Sequence, residues 1–206
     1  MKTIRFIALL TLLFSCSQTK TSDQNQTYDT AAKAVAPKDE DFKTIEAQTE
    51  SDTLKGSLKA KAMGIIGNTT ITINYYSPAV RGRIVWGGLV PFDKVWVTGA
   101  HSATNIDFTQ EVSIGGLIVP AGKYALFTIP GKEEWIIIIN RNWEQHLTDK
   151  YDAKDDVVRV KVKPEVETSR QERLRYVIES EGSSEGEVVI YWDTLEISLP
   201  VAALKK

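Results

Sequence analysis

Residues 111–140 read EVSIGGLIVPAGKYALFTIPGKEEWIIIIN, and this stretch decides the fold. Val112-Ser113-Ile114 and Leu117-Ile118-Val119 flank Gly115-Gly116. Two short β-branched runs joined by two glycines are a hairpin, because a two-residue turn of the right twist needs positive φ at both central positions. Pro120-Ala121-Gly122 turns the chain again. Tyr124, Leu126 and Thr128 then alternate with Ala125, Phe127 and Ile129, the period of a strand. Pro130-Gly131-Lys132 makes a third turn. The run Trp135 to Ile139 is apolar at every position and too short for a buried helix, so it predicts a central strand covered on both faces.

The same punctuation continues outward. Leu58, Ala60 and Ala62 alternate with polar residues, and Gly64 to Asn68 are expected to turn. Ile71, Ile73 and Tyr75 share one face of the next strand. Downstream, Val158, Val160 and Val162 alternate with Arg159, Lys161 and Lys163, whose expected partners are acids such as Glu172 or Glu179. Leu174, Tyr176 and Ile178 form another strand, and Val188 to Leu199 one long or bulged strand. Arg141 to Asp156 is polar and irregular. About nine or ten strands and no long helix predict an all-β domain over residues 57–206, an antiparallel β-sandwich of jelly-roll type. No internal repeat interrupts it.

The first 56 residues have a different character. Lys2 and Arg5 precede an apolar run from Phe6 to Phe14, too short to span a bilayer. Leu13-Phe14-Ser15-Cys16 resembles the lipobox of a bacterial lipoprotein, which implies a signal peptide over residues 1–15 and lipidation of Cys16. An ordinary secretory signal that happens to contain a cysteine is the alternative. The lipid would make the membrane a partner. Ser17 after the cysteine resembles a signal for sorting to the outer membrane. Residues 16–56, rich in Ser, Thr, Gln, Asn, Asp and Lys, read as a flexible linker. Cys16 is the single cysteine, so no thiol is left for nucleophilic, disulfide or iron–sulfur chemistry. The formal net charge is −2 and becomes −4 once Lys2 and Arg5 leave with residues 1–15. Such a balance argues against a nucleic-acid partner.

The densest run of chemistry-bearing residues is 77–104, SPAVRGRIVWGGLVPFDKVWVTGAHSAT. Arg81 and Arg83 could fork onto a carboxylate, sulfate or phosphate group. Alternatively they brace loops through carbonyls and through Asp93 or Asp107. Trp86 and Trp96 could stack on a sugar ring or a peptide proline, or serve as core. Thr98 and His101 complete the candidate ligand-binding set, and the six are expected to converge on one concave surface. His101 and His146 match no zinc spacing, so no metal and no cofactor are assigned. Ser102 beside His101 lacks a nucleophile elbow. The acids are too scattered to name a glycosidase pair, so no catalytic residue is assigned.

This block and the strands downstream of it resemble the bacterial family labelled domain of unknown function 2911, common among secreted lipoproteins. The resemblance rests on Ser77-Pro78, Val80-Arg81-Gly82-Arg83, Trp86-Gly87, Leu89-Val90-Pro91, Val95-Trp96 and Thr98-Gly99-Ala100. Ala103-Thr104, Phe108, Pro120 to Tyr124, Leu126 to Gly131 and Trp135 extend it, with a weaker tail at Asn142-Trp143, Asp156-Val157 and Val160. It implies no activity. Where that family usually carries Arg after the second Trp, this chain has Val97; where it carries Asn-Glu, this chain has His101-Ser102. Tether, architecture and loop block together predict a lipid-anchored, cell-envelope binding module for a glycan, a peptidoglycan fragment or a protein. Two rivals stand beside it. One is an envelope hydrolase or other enzyme working through the Arg81-to-Thr104 block. The other is a purely structural partner in an outer-membrane complex.

Overall fold

The computed structural model describes residues 41–204. The expected signal peptide, the expected lipidation site Cys16 and the first part of the expected linker lie outside the described residues. Ten strands follow in order: β1 (Leu58–Ile66), β2 (Thr69–Ser77), β3 (Asn105–Phe108), β4 (Val112–Ile114), β5 (Leu117–Val119), β6 (Gly122–Ile129), β7 (Trp135–Asn140), β8 (Asp156–Val162), β9 (Glu165–Ser180) and β10 (Glu185–Ala203). They form two antiparallel sheets, β1-β2-β3-β6-β7-β8 and β5-β4-β10-β9. The all-β sandwich expected from the sequence is the fold. The larger sheet is a meander from which only the β4–β5 hairpin departs, crossing to the other sheet. Gly115 and Gly116 adopt φ of +59° and +80°, the conformation that the hairpin requires.

The core lies between the sheets. Ile71, Ile73 and Tyr75 of β2, Ile106 and Phe108 of β3, and Leu126 of β6 meet Leu174 and Tyr176 of β9 and Val188, Ile190, Ile197 and Leu199 of β10. A second apolar cluster sits on the outer face of the larger sheet, where Ala125, Phe127 and Ile138 are covered by Val97, Ala103, Trp143 and Tyr151 from the long loops. That cover accounts for the unbroken apolar run of β7.

Three local expectations are corrected. Gly64 does not turn: β1 runs to Ile66, and the turn is Gly67-Asn68 alone. A Cβ on Gly64 would stand 2.6 Å from the Ile178 Cβ, so this glycine lets β1 and β9 close together. The cations of β8 pair with other acids than expected: Arg159 with Asp156 at 2.6 Å and Lys161 with Glu134 at 2.7 Å. Glu172 is buried and has other work. Finally, residues 41–56, read as linker, lie on the sandwich as a strap. Lys43 bonds in parallel beside Ala60 (Lys43 N→Lys59 O and Lys61 N→Lys43 O, both 2.9 Å). Glu172 N then donates to Gln48 O at 2.7 Å. The strap ends at the buried Arg173, whose guanidinium pairs with Asp52 and donates to Leu54 O (3.1 Å), Gly56 O (3.4 Å) and Ser77 O (2.7 Å). Composition counts apolar area and misses these polar partners, which lie more than a hundred residues away in sequence.

The tyrosines make the fold sensitive to base. Tyr75 and Tyr176 meet edge to face at 4.6 Å between the sheets. Burial raises both phenols above their usual range. Tyr191 is pushed up to about 12 by burial and then by Glu196 and Glu179. A phenol with a raised folded pKa contributes stability that is complete below the unfolded value near 10 and is lost as pH climbs through the folded value. We therefore expect cooperative unfolding above about pH 10, with tyrosinate absorbance at 295 nm rising together with loss of the far-UV circular dichroism. Tyrosinate appearing fully before the backbone signal changes would contradict this.

Candidate functional site

Residues 78–104 form two structures. The first, 78–92, caps one end of the sandwich. Leu174 N→Pro78 O (2.9 Å) and Val80 N→Glu172 O (2.8 Å) stitch its entry to β9, and Gly87 N→Val90 O (2.8 Å) closes its tip. Val80, Val85 and Val90 point into the core. The second, 93–104, covers a flank. β3 pairs with β6 only through Gly122–Ala125, which leaves the rest of that β6 edge open. The segment fills the vacancy: Trp96 N→Thr128 O (2.8 Å), Thr128 N→Trp96 O (3.0 Å) and Asp93 N→Pro130 O (2.8 Å). Alternation then turns Trp96 toward the core and Val97 onto the outer cluster. Val97 thus occupies an apolar cover position.

The six candidate residues go to different places. Trp86 and Trp96 meet at 5.9 Å and join Trp135 and Trp192 in a four-indole cluster with centroid separations of 4.9–6.4 Å. Trp96 stacks on Trp192 at an interplanar angle of 18°. Trp96 Nε1 donates to Gly99 O, while the buried Nε1 atoms of Trp86, Trp135 and Trp192 have no hydrogen-bond partner. Their edge-on packing is the geometry in which indole N–H groups face neighbouring rings, a weak contact. Thr98 is fully buried with φ of +51°, strained for a β-branched residue. Its carbonyl accepts from Thr104 Oγ1 (3.0 Å) and Tyr176 OH (2.6 Å), and its hydroxyl reaches Thr128 Oγ1 at 3.1 Å. It is a joint between the cover and β9. Arg81 and Arg83 are exposed on the cap. Arg83 donates to Ala79 O and Val80 O, and the Arg81 backbone N–H donates to Glu172 Oε1 at 2.8 Å. Their bracing partners are these, with Asp93 and Asp107 playing no such part.

His101 lies on the outer face of the larger sheet, with φ of +62° and its ring edge-on to Tyr76 at 4.9 Å. Beside it opens a hollow of about 190 Å³ between the strap, β1, β2, β3 and the end of the cover, lined by Phe42, Lys59, Asn74, Tyr76, Ser102 and Asn105. Asn74 Nδ2 donates to Asn105 Oδ1 at 3.2 Å, and Asn74 Oδ1 is buried without a partner. The floor therefore presents an unused acceptor, with a hydroxyl, an ammonium group and two aromatic rings around it. The two histidine segments, far apart in sequence, run side by side here: Leu147 N→His101 O is 2.8 Å and Ala103 N→Gln145 O is 3.0 Å. Their rings diverge, His146 Nδ1 pairing with Asp149 at 3.0 Å. Among the described residues, no three His, Cys, Asp or Glu side chains come together to hold a metal ion.

A carboxyl pair lies elsewhere among the described residues. Glu196, on the smaller sheet, is raised by burial and by its hydrogen bond to Glu167. Carboxyls in mutual contact stand closer than the about 5 Å that a retaining glycosidase uses.

A family model described as "Protein of unknown function (DUF2911)" matches residues 57–201. No curated protein and no solved structure matches the chain.

Proposed function

The chain belongs to that family of unknown function, and from this premise we propose that it is a cell-envelope binding module, held at a membrane by lipid on Cys16, that takes a small polar ring of the sugar class. The observation that carries the reading is the hollow beside His101. Its buried Asn74 Oδ1 has no partner, and an unmet buried acceptor costs about 1–3 kcal/mol unless a donor reaches it. A sugar hydroxyl is such a donor. Phe42 and Tyr76 supply ring surface, and Lys59, Ser102 and Asn105 supply further polar contacts. At about 190 Å³ the hollow is below the roughly 300 Å³ at which drug-sized pockets begin, so it suits one ring rather than a long oligosaccharide.

The test is a thermal-shift and calorimetric screen of neutral sugars and amino sugars against the full chain. A ligand at about a hundred times its dissociation constant adds ~2.7 kcal/mol, which raises the midpoint of a domain of this size by about 5–10 °C. Asn74→Ala should abolish the shift, and His101→Ala should weaken it. A shift that survives in Asn74→Ala would move the site elsewhere, and no shift with any sugar would overturn the ligand class. Incorporation of labelled fatty acid, lost in Cys16→Ser, tests the anchor.

A further inference from the structure

We propose that the capped end of the sandwich docks on a lipid surface bearing anionic headgroups. The cap buries Val80, Val85 and Val90 and turns other apolar residues to solvent, with Ile84 at 77% exposure and Leu89 at 42%. The two belong to one turn, since Leu89 N donates to Ile84 O at 3.1 Å. Leu54 of the strap, at 55% exposure, is brought to the same end by Arg173, which holds Leu54 O and Gly56 O, and by Arg81, whose Nη2 reaches Gly56 O at 3.5 Å. These apolar tips stand on the cap and the strap beside it, whereas the sugar-sized hollow opens on the outer sheet face.

Charge adds a second argument. Lys55, Arg81 and Arg83 are exposed around these tips. Two of the acids at this end are turned inward: Glu172 is 1% exposed and accepts from the Arg81 backbone, and Asp52 is paired with Arg173, which leaves Glu50 of the strap as the exposed acid against the three cations. Asp93, exposed at the far side of the cap, is followed directly by the exposed Lys94. A chain of net charge −2 thus presents a cationic, apolar-tipped end, the combination that inserts between anionic headgroups.

The direction of the chain supplies the third. The strap runs parallel to β1 at Lys43, so upstream of Lys43 it heads toward Leu58. Leu58 pairs with Ser77, where the cap begins. The described chain therefore begins, at Asp41, beside the capped end. This last argument rests on the anchored reading; the first two do not.

The test is co-sedimentation of residues 16–206, without the basic and apolar run of residues 1–15 and carrying Cys16→Ser to remove the lipid, with phosphatidylcholine vesicles with and without phosphatidylglycerol. The expected result is binding to the anionic vesicles that falls with added salt. Ile84→Asp should weaken it about tenfold and Arg81→Gln about fivefold, both with unchanged near-UV circular dichroism. Ile65→Asp, on the exposed face of β1, should bind as the parent does. Failure of the parent chain to bind, equal binding by Ile84→Asp, or an equal loss in Ile65→Asp overturns the proposal. Fatty-acid labelling of the unsubstituted chain reads the anchor separately, so its failure and the failure of docking are distinguishable.

Discussion

Replacing Arg173 with methionine is expected to cost the domain about 3–5 kcal/mol. The Arg173 side chain is 2% exposed and that of its partner Asp52 6%. Methionine fills much of the same volume, so the loss comes from the groups left unpaired. Asp52 becomes a buried carboxylate without its cation, Ser77 O and Leu54 O lose the guanidinium donor, and Gly56 O is left with Arg81 Nη2 alone. Burial lowers the guanidinium's pKa, the direction expected for a charge withdrawn from water, yet arginine remains a cation at neutral pH. The measurement is the urea midpoint at constant m-value. Asp52→Asn should cost less, because Arg173 loses its counter-charge but keeps its carbonyl acceptors Ser77 O, Leu54 O and Gly56 O, with an amide oxygen in place of the carboxylate. Arg173→Met combined with Asp52→Leu should recover part of the loss, since a buried ion pair often exchanges for apolar packing at little cost. A cost below about 1 kcal/mol for Arg173→Met would match a surface pair and would contradict the buried knot.

The knot also marks the limit of what the sequence discloses. Strand positions with regular alternation or continuous apolar character are legible: the Gly115-Gly116 hairpin, β2, β6 and the doubly covered β7 form as their patterns dictate. The run Gln171-Glu172-Arg173 reads only as a polar lead into Leu174, although all three residues are buried. The visible signal is a polar triplet that breaks strand alternation; its bonding partners lie in the strap and at the start of the cap. The bulge of β10 between Tyr191 and Leu195 is foreseeable only as an option. Asp193 there adopts φ of +55° and holds Arg170 at 2.9 Å, and the register shift brings Trp192 inward.

In the loop block, residue types are informative and directions are not. Glycine-rich punctuation around Trp86 and Trp96 suits exposed rings and core rings alike. Whether a loop tryptophan turns outward depends on whether other large apolar groups lie beneath it, and here Trp135 and Trp192 come from two different sheets. Asn74 and Tyr76 escape notice for the opposite reason. They continue the row Thr70, Thr72 on β2, an alternation that reads as a solvated face. An aromatic ring at an outward position of that row is the available hint.

The second large effect is expected at the indole cluster. Trp135→Ala should cost about 3–5 kcal/mol, because Trp135 is fully buried and packs edge-on against Trp86 at 4.9 Å and lies 6.4 Å from Trp96. Part of that cost is ring packing, at about 0.5–1.5 kcal/mol per aromatic pair beyond area. Trp135→Phe should cost clearly less: it keeps a ring in the cluster and removes an N–H that has no partner. The cluster joins four parts of the fold, since Trp135 belongs to the larger sheet, Trp192 to the smaller, Trp86 to the cap and Trp96 to the flank cover. Removing Trp135 should therefore weaken the near-UV circular dichroism of all the indoles and raise amide exchange in residues 84–98 before the rest of the domain opens. If Trp86 and Trp96 instead served a bound ligand from outside the core, their own alanine substitutions would leave the urea midpoint within the about 0.5 kcal/mol typical of surface changes. Packed as they are, Trp96→Ala should lower it by about 2–4 kcal/mol, and the cap that carries Arg81 and Ile84 should loosen with it.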